Sequence, residues 1–130
     1  MPARLEELLI FVRDVEAAAR FYERTFALAR RKSGDGFVVL QGGAVRLAFQ
    51  KREFAVRHGG ESVLALNAEG PPPPFELAFD VDDVDAAYER GVAAGGEPLE
   101  EPHTTAWGDR IAHLRDPNGI LIGLSLQREK

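Results

Sequence analysis

The hydrophobic pattern predicts a strand, a helix and further strands, and then repeats this order. The apolar run at residues 8–12 is typical of a buried strand. Asp14 follows and can cap a helix over residues 15–28. Apolar and small residues recur there with helical spacing at Ala18, Phe21, Tyr22, Thr25 and Phe26. Strands are predicted at 37–40 and 45–50 around a Gly42-Gly43 turn, with room for a short one at 29–32.

The middle of the chain breaks these periodicities. Residues 51–60 are polar and predicted irregular, and residues 62–68 are either a short strand or a loop. Glu69 and Gly70 precede four consecutive prolines, which favour an extended conformation and exclude a helix or a central strand. We interpret residues 69–74 as a linker; the alternative is a polyproline ligand for a partner.

The second half repeats the order of the first. Residues 75–81 form an apolar strand pattern, and Asp83 can cap a helix over 84–94 that ends at Gly95-Gly96. An extended stretch (98–102), a loop (103–109) and strands at 110–115 and 120–126 follow, the last two joined by an Asp116-Pro117-Asn118-Gly119 turn. The segment Val12-Arg-Asp-Val-Glu-Ala-Ala returns as Val81-Asp-Asp-Val-Asp-Ala-Ala, and each copy leads to Tyr-Glu-Arg. One domain, residues 1–130, therefore contains module one (about 5–68), the linker and module two (about 75–127).

Composition narrows the function classes. The 130 residues contain no cysteine, which excludes disulfides and thiolate chemistry. The net charge is −5, and the one short basic cluster, residues 30–32, is interpreted as a solvated helix end, so we expect no nucleic-acid partner. There is no apolar run long enough to span a membrane and no signal-like start, so a cytoplasmic location is expected.

Two tandem βαβββ modules, Trp107-Gly-Asp-Arg, and the Asp116-Pro-Asn-Gly turn before an apolar strand resemble the glyoxalase/bleomycin-resistance/extradiol-dioxygenase superfamily, also called vicinal oxygen chelate proteins. Trp-Gly-x-Arg favours the bleomycin-resistance-like branch. The resemblance implies an α+β fold in which two modules form a cupped, open-barrel mixed sheet with helices outside. It also implies a small molecule in the cup and a homodimer, sometimes with modules exchanged.

In metal-using members of this superfamily, four ligands line the cup. Counting seven residues back from the capping aspartates gives Glu7 and Glu76, and the last strands give Arg46 and Gly123. Arginine is a permanent cation and glycine has no side chain, so we expect no metal or other cofactor. Arg46, Glu7 and Glu76 form either a structural ion-paired trio or a ligand-facing one. A one-residue slip in register would exchange Arg46 for Val45 or Leu47.

Strand alternation predicts the remaining cup residues, with Gly123 leaving a gap. His58, His103 and His113 are assigned ordinary structural or surface roles, with His103 the first candidate to contact a ligand. Trp107 is either a packing residue or a stacking platform on the rim, with Phe54 a weaker candidate. The predicted ligand-binding residues are Glu7, Phe11, Arg46, Ala48, Glu76, His103, Trp107, Leu121, Gly123 and Ser125.

The favoured function is metal-independent binding, including sequestration, of a small organic molecule. One net negative charge among Glu7, Arg46 and Glu76 suits a cationic or amine-bearing guest, although the same groups could also hydrogen-bond a neutral one. The alternative is a glyoxalase- or dioxygenase-like lyase, isomerase or epimerase that uses Glu7 or Glu76 as a general base or as a partial metal ligand. A third possibility is a self-filled cup that acts through protein contacts.

Overall fold

A computed structural model describes residues 2–56 and 64–126 and shows two modules of the same order. Module one forms a four-stranded sheet in the order β1-β4-β3-β2, and module two forms one in the order β5-β8-β7-β6. In each sheet the first and last strands of the module pair in parallel, and the other neighbours are antiparallel. The elements are β1 (Glu7–Val12), α1 (Val15–Phe26), β2 (Ala29–Gly34), β3 (Phe37–Gly42), β4 (Val45–Lys51), α2 (Arg52–Val56), β5 (Glu76–Asp80), α3 (Val84–Ala93), β6 (Glu97–Thr104), β7 (Arg110–Arg115) and β8 (Leu121–Leu126). The predicted α+β class and βαβββ modules are confirmed.

Both long helices begin at the predicted aspartates. Asp14 and Asp83 have extended backbones, and each side chain accepts a hydrogen bond from the backbone N–H three residues later. The predicted end of α1 at residue 28 is wrong by two residues. Ala27 adopts the left-handed conformation, with φ 55°, and its N–H donates to the Glu23 carbonyl at 3.0 Å, which closes the helix at Phe26.

Two further segments correct the sequence-based expectations. Residues 52–56, predicted irregular, form the one-turn helix α2, which is too short to show an apolar period. His103 and Thr104, assigned to a loop, complete β6. That strand holds Pro98 and Pro102 at the edge of its sheet, where a missing N–H is tolerated, and its register with β7 shifts twice. Residues 62 and 63 of the predicted 62–68 segment, and His58, lie outside the described residues.

Contacts between residues divide the polypeptide into two compact units. The boundary between them does not lie at the predicted linker alone. One unit contains the chain up to Glu23 and Ala27–Leu66, and the other contains Arg24–Phe26 and the chain from Asn67 onward. In the second unit, the Phe26 ring stacks on Phe79 with centroids 3.8 Å apart. Arg90 Nε also donates to the Thr25 carbonyl at 3.0 Å. The last turn of α1 is therefore a packing element of module two.

Each unit has its own apolar core. In the first, Tyr22 is fully buried, stacks on Phe49 and meets Phe21 edge to face. In the second, β7 and β8 contribute fully or almost fully buried residues under α3: Ala112, Leu114, Ile122 and Leu124. Within the described chain, none of the helices has the length and apolar character needed to cross a membrane.

Candidate functional site

In module one, Glu7 and Arg46 are direct partners across the parallel pair β1–β4. Arg46 Nε lies 3.3 Å from Glu7 Oε1, and one Arg46 Nη lies 3.5 Å from Glu6. Each of these side chains is roughly one-third to one-half exposed. Arg46 is therefore held between two carboxylates of the first strand and the residue before it, in contacts that solvent weakens.

In module two, the register places different residues at the matching positions. Glu76, the repeat equivalent of Glu7, pairs with Leu121, whereas Gly123 pairs with Ala78. Relative to the first strand of each module, Arg46 thus corresponds to Leu121. By the same measure, Gly123 corresponds to Ala48, which pairs with Leu9 in module one. Ala48 and Gly123 are therefore equivalent positions on the last strands of the two modules. They offer only a methyl group and a hydrogen atom.

The space beside Gly123 is occupied by Glu76. A Cβ built on Gly123 would lie 2.6 Å from Glu76 Oε2 and 3.3 Å from His113 Nε2. Real Cβ atoms do not approach a neighbour as closely as 2.6 Å. The sequence predicted a gap for a guest at this position. In the structure, the Glu76 carboxylate fills that gap. Because Gly123 has no side chain, Glu76 can approach His113.

His113 connects two carboxylates from two different strands. Its Nδ1 lies 2.6 Å from Glu100 Oε1, and its Nε2 lies 3.4 Å from Glu76 Oε1. The other Glu100 oxygen lies 3.1 Å from His103 Nε2. The hydrogen bonds from His113 and then His103 lower the pKa of Glu100 below the usual value for glutamate, so this carboxyl group is ionised at neutral pH. The result is a linear chain, Glu76–His113–Glu100–His103, in module two.

Sequence reasoning missed Glu100 and assigned His113 an ordinary structural or surface role, ranking His103 ahead of it as a ligand contact. A signal for His113 was present in the turn at residues 116–119. Counting outward from that turn pairs Arg115 with Leu121 and His113 with Gly123, as the hairpin β7–β8 does. Glu100 could not be found in this way, because β6 shifts its register against β7 on both sides of this residue.

The side chains at the four positions that the sequence assigned to metal ligands, and at their register equivalents Ala48 and Leu121, do not fit a metal ion. Arg46 presents a guanidinium group directly beside Glu7, and Gly123 presents no donor. Glu76 contacts His113, but the side chains Glu76, His113, Glu100 and His103 form an extended row of contacts. Each contact uses a different ring nitrogen or carboxylate oxygen, so these atoms do not converge on one point. In the part of the chain that the structure describes, no three His, Asp or Glu side chains are grouped to hold a metal ion.

The other predicted site residues differ in their accessibility. Ala48 is 1% exposed, whereas Phe11, Leu121 and Ser125 are partly exposed. Trp107 is 76% exposed, and its indole N–H donates to Asp109 at 2.9 Å, which fixes the ring on the β6–β7 loop. Trp107 is therefore not a core packing residue.

Comparison with known proteins agrees with this architecture. The sequence is 27% identical over 125 residues to the uncharacterized protein YraH of Bacillus subtilis, covering 92% of this chain and 94% of that protein. A 71-residue match, 32% identical, to the putative glyoxylase CFP32 of Mycobacterium bovis covers 50% of this chain and 27% of the relative.

Solved structures with the same fold include a glyoxalase/bleomycin resistance protein/dioxygenase family enzyme from Burkholderia phytofirmans. Its TM-score is 0.83 at 26% identity, covering 95% of this chain and 98% of that one. A glyoxalase-related enzyme from Fulvimarina pelagi gives a TM-score of 0.79 at 24% identity, covering 95% and 88% of the two chains. The family model of this group matches residues 4–124. The chain belongs to the Glyoxalase/Bleomycin resistance protein/Dioxygenase superfamily.

Proposed function

We propose that this protein binds a small organic molecule without a metal ion and prefers a guest that carries a positive charge. The observation that supports metal-free binding most directly is the side-chain set at the positions that the sequence assigned to metal ligands. Arg46 neutralises Glu7 at 3.3 Å, and Gly123 supplies no donor atom. A divalent ion would gain few ligands there and would meet a guanidinium.

The preference for a cation rests on charge in module two. Glu76 and Glu100 are carboxylates about two-fifths exposed, and the lowered pKa of Glu100 keeps it ionised. Their ion-pair partners in the described part of the chain are the imidazoles of His113 and His103, which carry charge only when protonated. With neutral imidazoles, the local charge is therefore negative. A partly exposed carboxylate with spare acceptor capacity is suited to an ammonium group.

The first experiment is elemental analysis of the purified protein, followed by calorimetric titration with Mn²⁺, Ni²⁺, Zn²⁺ and Fe²⁺. We expect no stoichiometric metal and no binding tighter than about 10⁻⁵ M, roughly −7 kcal/mol. One metal ion per chain bound more tightly than this would contradict the proposal.

The guest preference is tested with benzyltrimethylammonium and the neutral benzyl alcohol as probes. We expect the cation to bind more tightly, and Glu76→Gln to weaken its binding about five-fold, the equivalent of about 1 kcal/mol. Glu89→Gln removes the same charge from an exposed site on α3 and is the matched control. Equal affinities for the two probes would refute the preference for a cation.

A further inference from the structure

Asn118 and Gly119 lie in the turn between β7 and β8, and this dipeptide is chemically reactive in water. The backbone nitrogen of the residue after an asparagine can attack the side-chain carbonyl carbon and expel ammonia, which gives a five-membered succinimide ring. A glycine at that place favours ring closure, because it has no side chain to shield the nitrogen. Asn67, the only other asparagine of the sequence, precedes Ala68, whose methyl group provides such shielding.

The packing of the turn explains why position 119 has to be glycine. Gly119 has φ 93°, in the region that favours glycine. A Cβ built on Gly119 would lie 2.5 Å from a terminal nitrogen of Arg115 and 3.1 Å from the Cα atom of Ala68. The Arg115 guanidinium is buried and held by hydrogen bonds, so it is not free to move away. The fold therefore leaves no room for a side chain that would shield the nitrogen next to Asn118.

Hydrogen bonds within the same turn oppose ring closure. The Gly119 N–H donates to the Asp116 carbonyl at 2.9 Å, so the attacking nitrogen is engaged. The backbone N–H groups of Asn118 and Ile120 both donate to Asp116 Oδ1, at 2.8 and 2.9 Å. Arg115 Nε donates to the Gly119 carbonyl at 2.9 Å. Because these contacts fix the backbone on both sides of the Asn118–Gly119 bond, the ring can close only after the turn has opened locally.

We propose that Asn118 is a site of spontaneous deamidation and that Arg115 sets its rate by holding the turn closed. In the first step, the Gly119 nitrogen forms a bond to Asn118 Cγ and its proton passes through solvent to the departing amide nitrogen, which leaves as ammonia. Water then adds to either ring carbonyl and breaks the bond between that carbon and the ring nitrogen. The product is aspartate or isoaspartate. Water is consumed and ammonia is released, so no other reactant is needed.

Isoaspartate at position 118 does not fit the closed turn. Its main chain passes through the former side chain, which inserts a methylene group before Gly119. The Ile120 N–H and the Gly119 carbonyl then cannot both keep their present partners, Asp116 Oδ1 and Arg115. The product also places a new carboxylate near that of Asp116, which is 3% exposed. We therefore expect the modified protein, separated by anion exchange, to melt at a lower temperature than the unmodified protein.

The test incubates the full-length protein in mildly alkaline buffer at body temperature and follows each asparagine by peptide mapping with mass spectrometry. A synthetic peptide of residues 112–124 gives the rate without the fold. We expect Asn118 to react at least about ten-fold more slowly in the protein than in the peptide, and Asn67 to stay intact. Global unfolding exposes only about 10⁻³–10⁻⁶ of the molecules. A rate above about one hundredth of the peptide rate, which we expect, therefore reports opening of the turn itself.

Arg115→Met removes the donor to the Gly119 carbonyl, and we expect it to raise the rate at Asn118 by about ten-fold while the protein remains folded. Asp14→Ala is the matched control, because it weakens a helix cap in the other compact unit. Urea unfolding gives the unfolded fraction of each variant.

A rate at Asn118 equal to that of the peptide would overturn the proposal. So would the absence of deamidation at Asn118 after the peptide has been fully converted. If the rates in the wild type, Asp14→Ala and Arg115→Met rise only in proportion to their unfolded fractions, Arg115 has no local role and the proposed control of the turn is overturned. Equal melting temperatures of modified and unmodified protein would contradict the expected misfit of isoaspartate.

Discussion

Glu100 accepts hydrogen bonds from two imidazoles and has a lowered pKa for that reason. A carboxyl group whose pKa is lower in the folded protein than in the unfolded chain stabilises the fold above its unfolded pKa. This stabilisation is lost as the pH falls through the folded value. The contacts of Glu100 with the two imidazoles therefore link the stability of module two to pH.

At the residue scale, we predict that Glu100→Gln lowers the melting temperature near pH 7. This effect should decrease as the pH falls from 7 to about 2, because the Glu100 carboxyl group then takes up a proton and loses its charge. Glu101→Gln, at the adjacent position of β6, controls for the loss of net charge. The measurement is thermal unfolding followed by circular dichroism across this pH range. A difference between Glu100→Gln and wild type that stays constant with pH would contradict the linkage.

At the scale of elements, the two long helices begin with the same N-cap interaction. Asp14 Oδ1 accepts from the Ala17 N–H at 3.0 Å, and Asp83 Oδ1 accepts from the Ala86 N–H at the same distance. Each aspartate satisfies one of the N–H groups that a helix leaves unpaired at its first turn. The repeated sequence segment thus encodes the same local structure twice.

We predict that Asp14→Ala and Asp83→Ala each lower the free energy of unfolding by about 1 kcal/mol, the usual cost of losing a cap. Asp82→Ala removes the aspartate next to the second cap and should have a clearly smaller effect. Urea unfolding followed by circular dichroism measures all three. Equal losses for Asp82→Ala and Asp83→Ala would show that net charge, and not capping, is responsible.

The same elements show what the sequence could and could not predict. Capping aspartates, apolar periods and the turn at residues 116–119 predicted α1, α3 and most strands, because these signals are local. The helix α2 was missed because one turn carries no period. The Glu76–His113–Glu100 chain was missed because it depends on tertiary placement: the carboxylate of Glu76 folds over Gly123, and β6 shifts its register at an edge.

At the scale of the whole molecule, a buried arginine joins distant parts of the second unit. Arg115 is 9% exposed, and its guanidinium donates to the Gly119 carbonyl at 2.9 Å and to the Gly70 carbonyl at 3.0 Å. The first contact closes the β7–β8 turn. The second attaches the residue that precedes the four prolines.

We predict that Arg115→Met lowers the free energy of unfolding by about 2 kcal/mol or more, since it leaves two carbonyls without their charged donor. Arg110→Met, on the same strand, breaks an exposed ion pair with Asp85 and should have little effect. Urea unfolding compares the two variants. A loss for Arg115→Met no larger than that for Arg110→Met would contradict this role.

The assignment of Arg24–Phe26 to the second unit has a consequence for the two repeated halves. The chain enters the second unit for three residues, leaves it, and returns at Asn67. A fragment starting at the prolines would lack the ring that covers Phe79 and the carbonyl that Arg90 binds. The halves are alike in plan, but module two is not self-sufficient: as a free-standing domain it would have to replace the contacts that residues 24–26 supply.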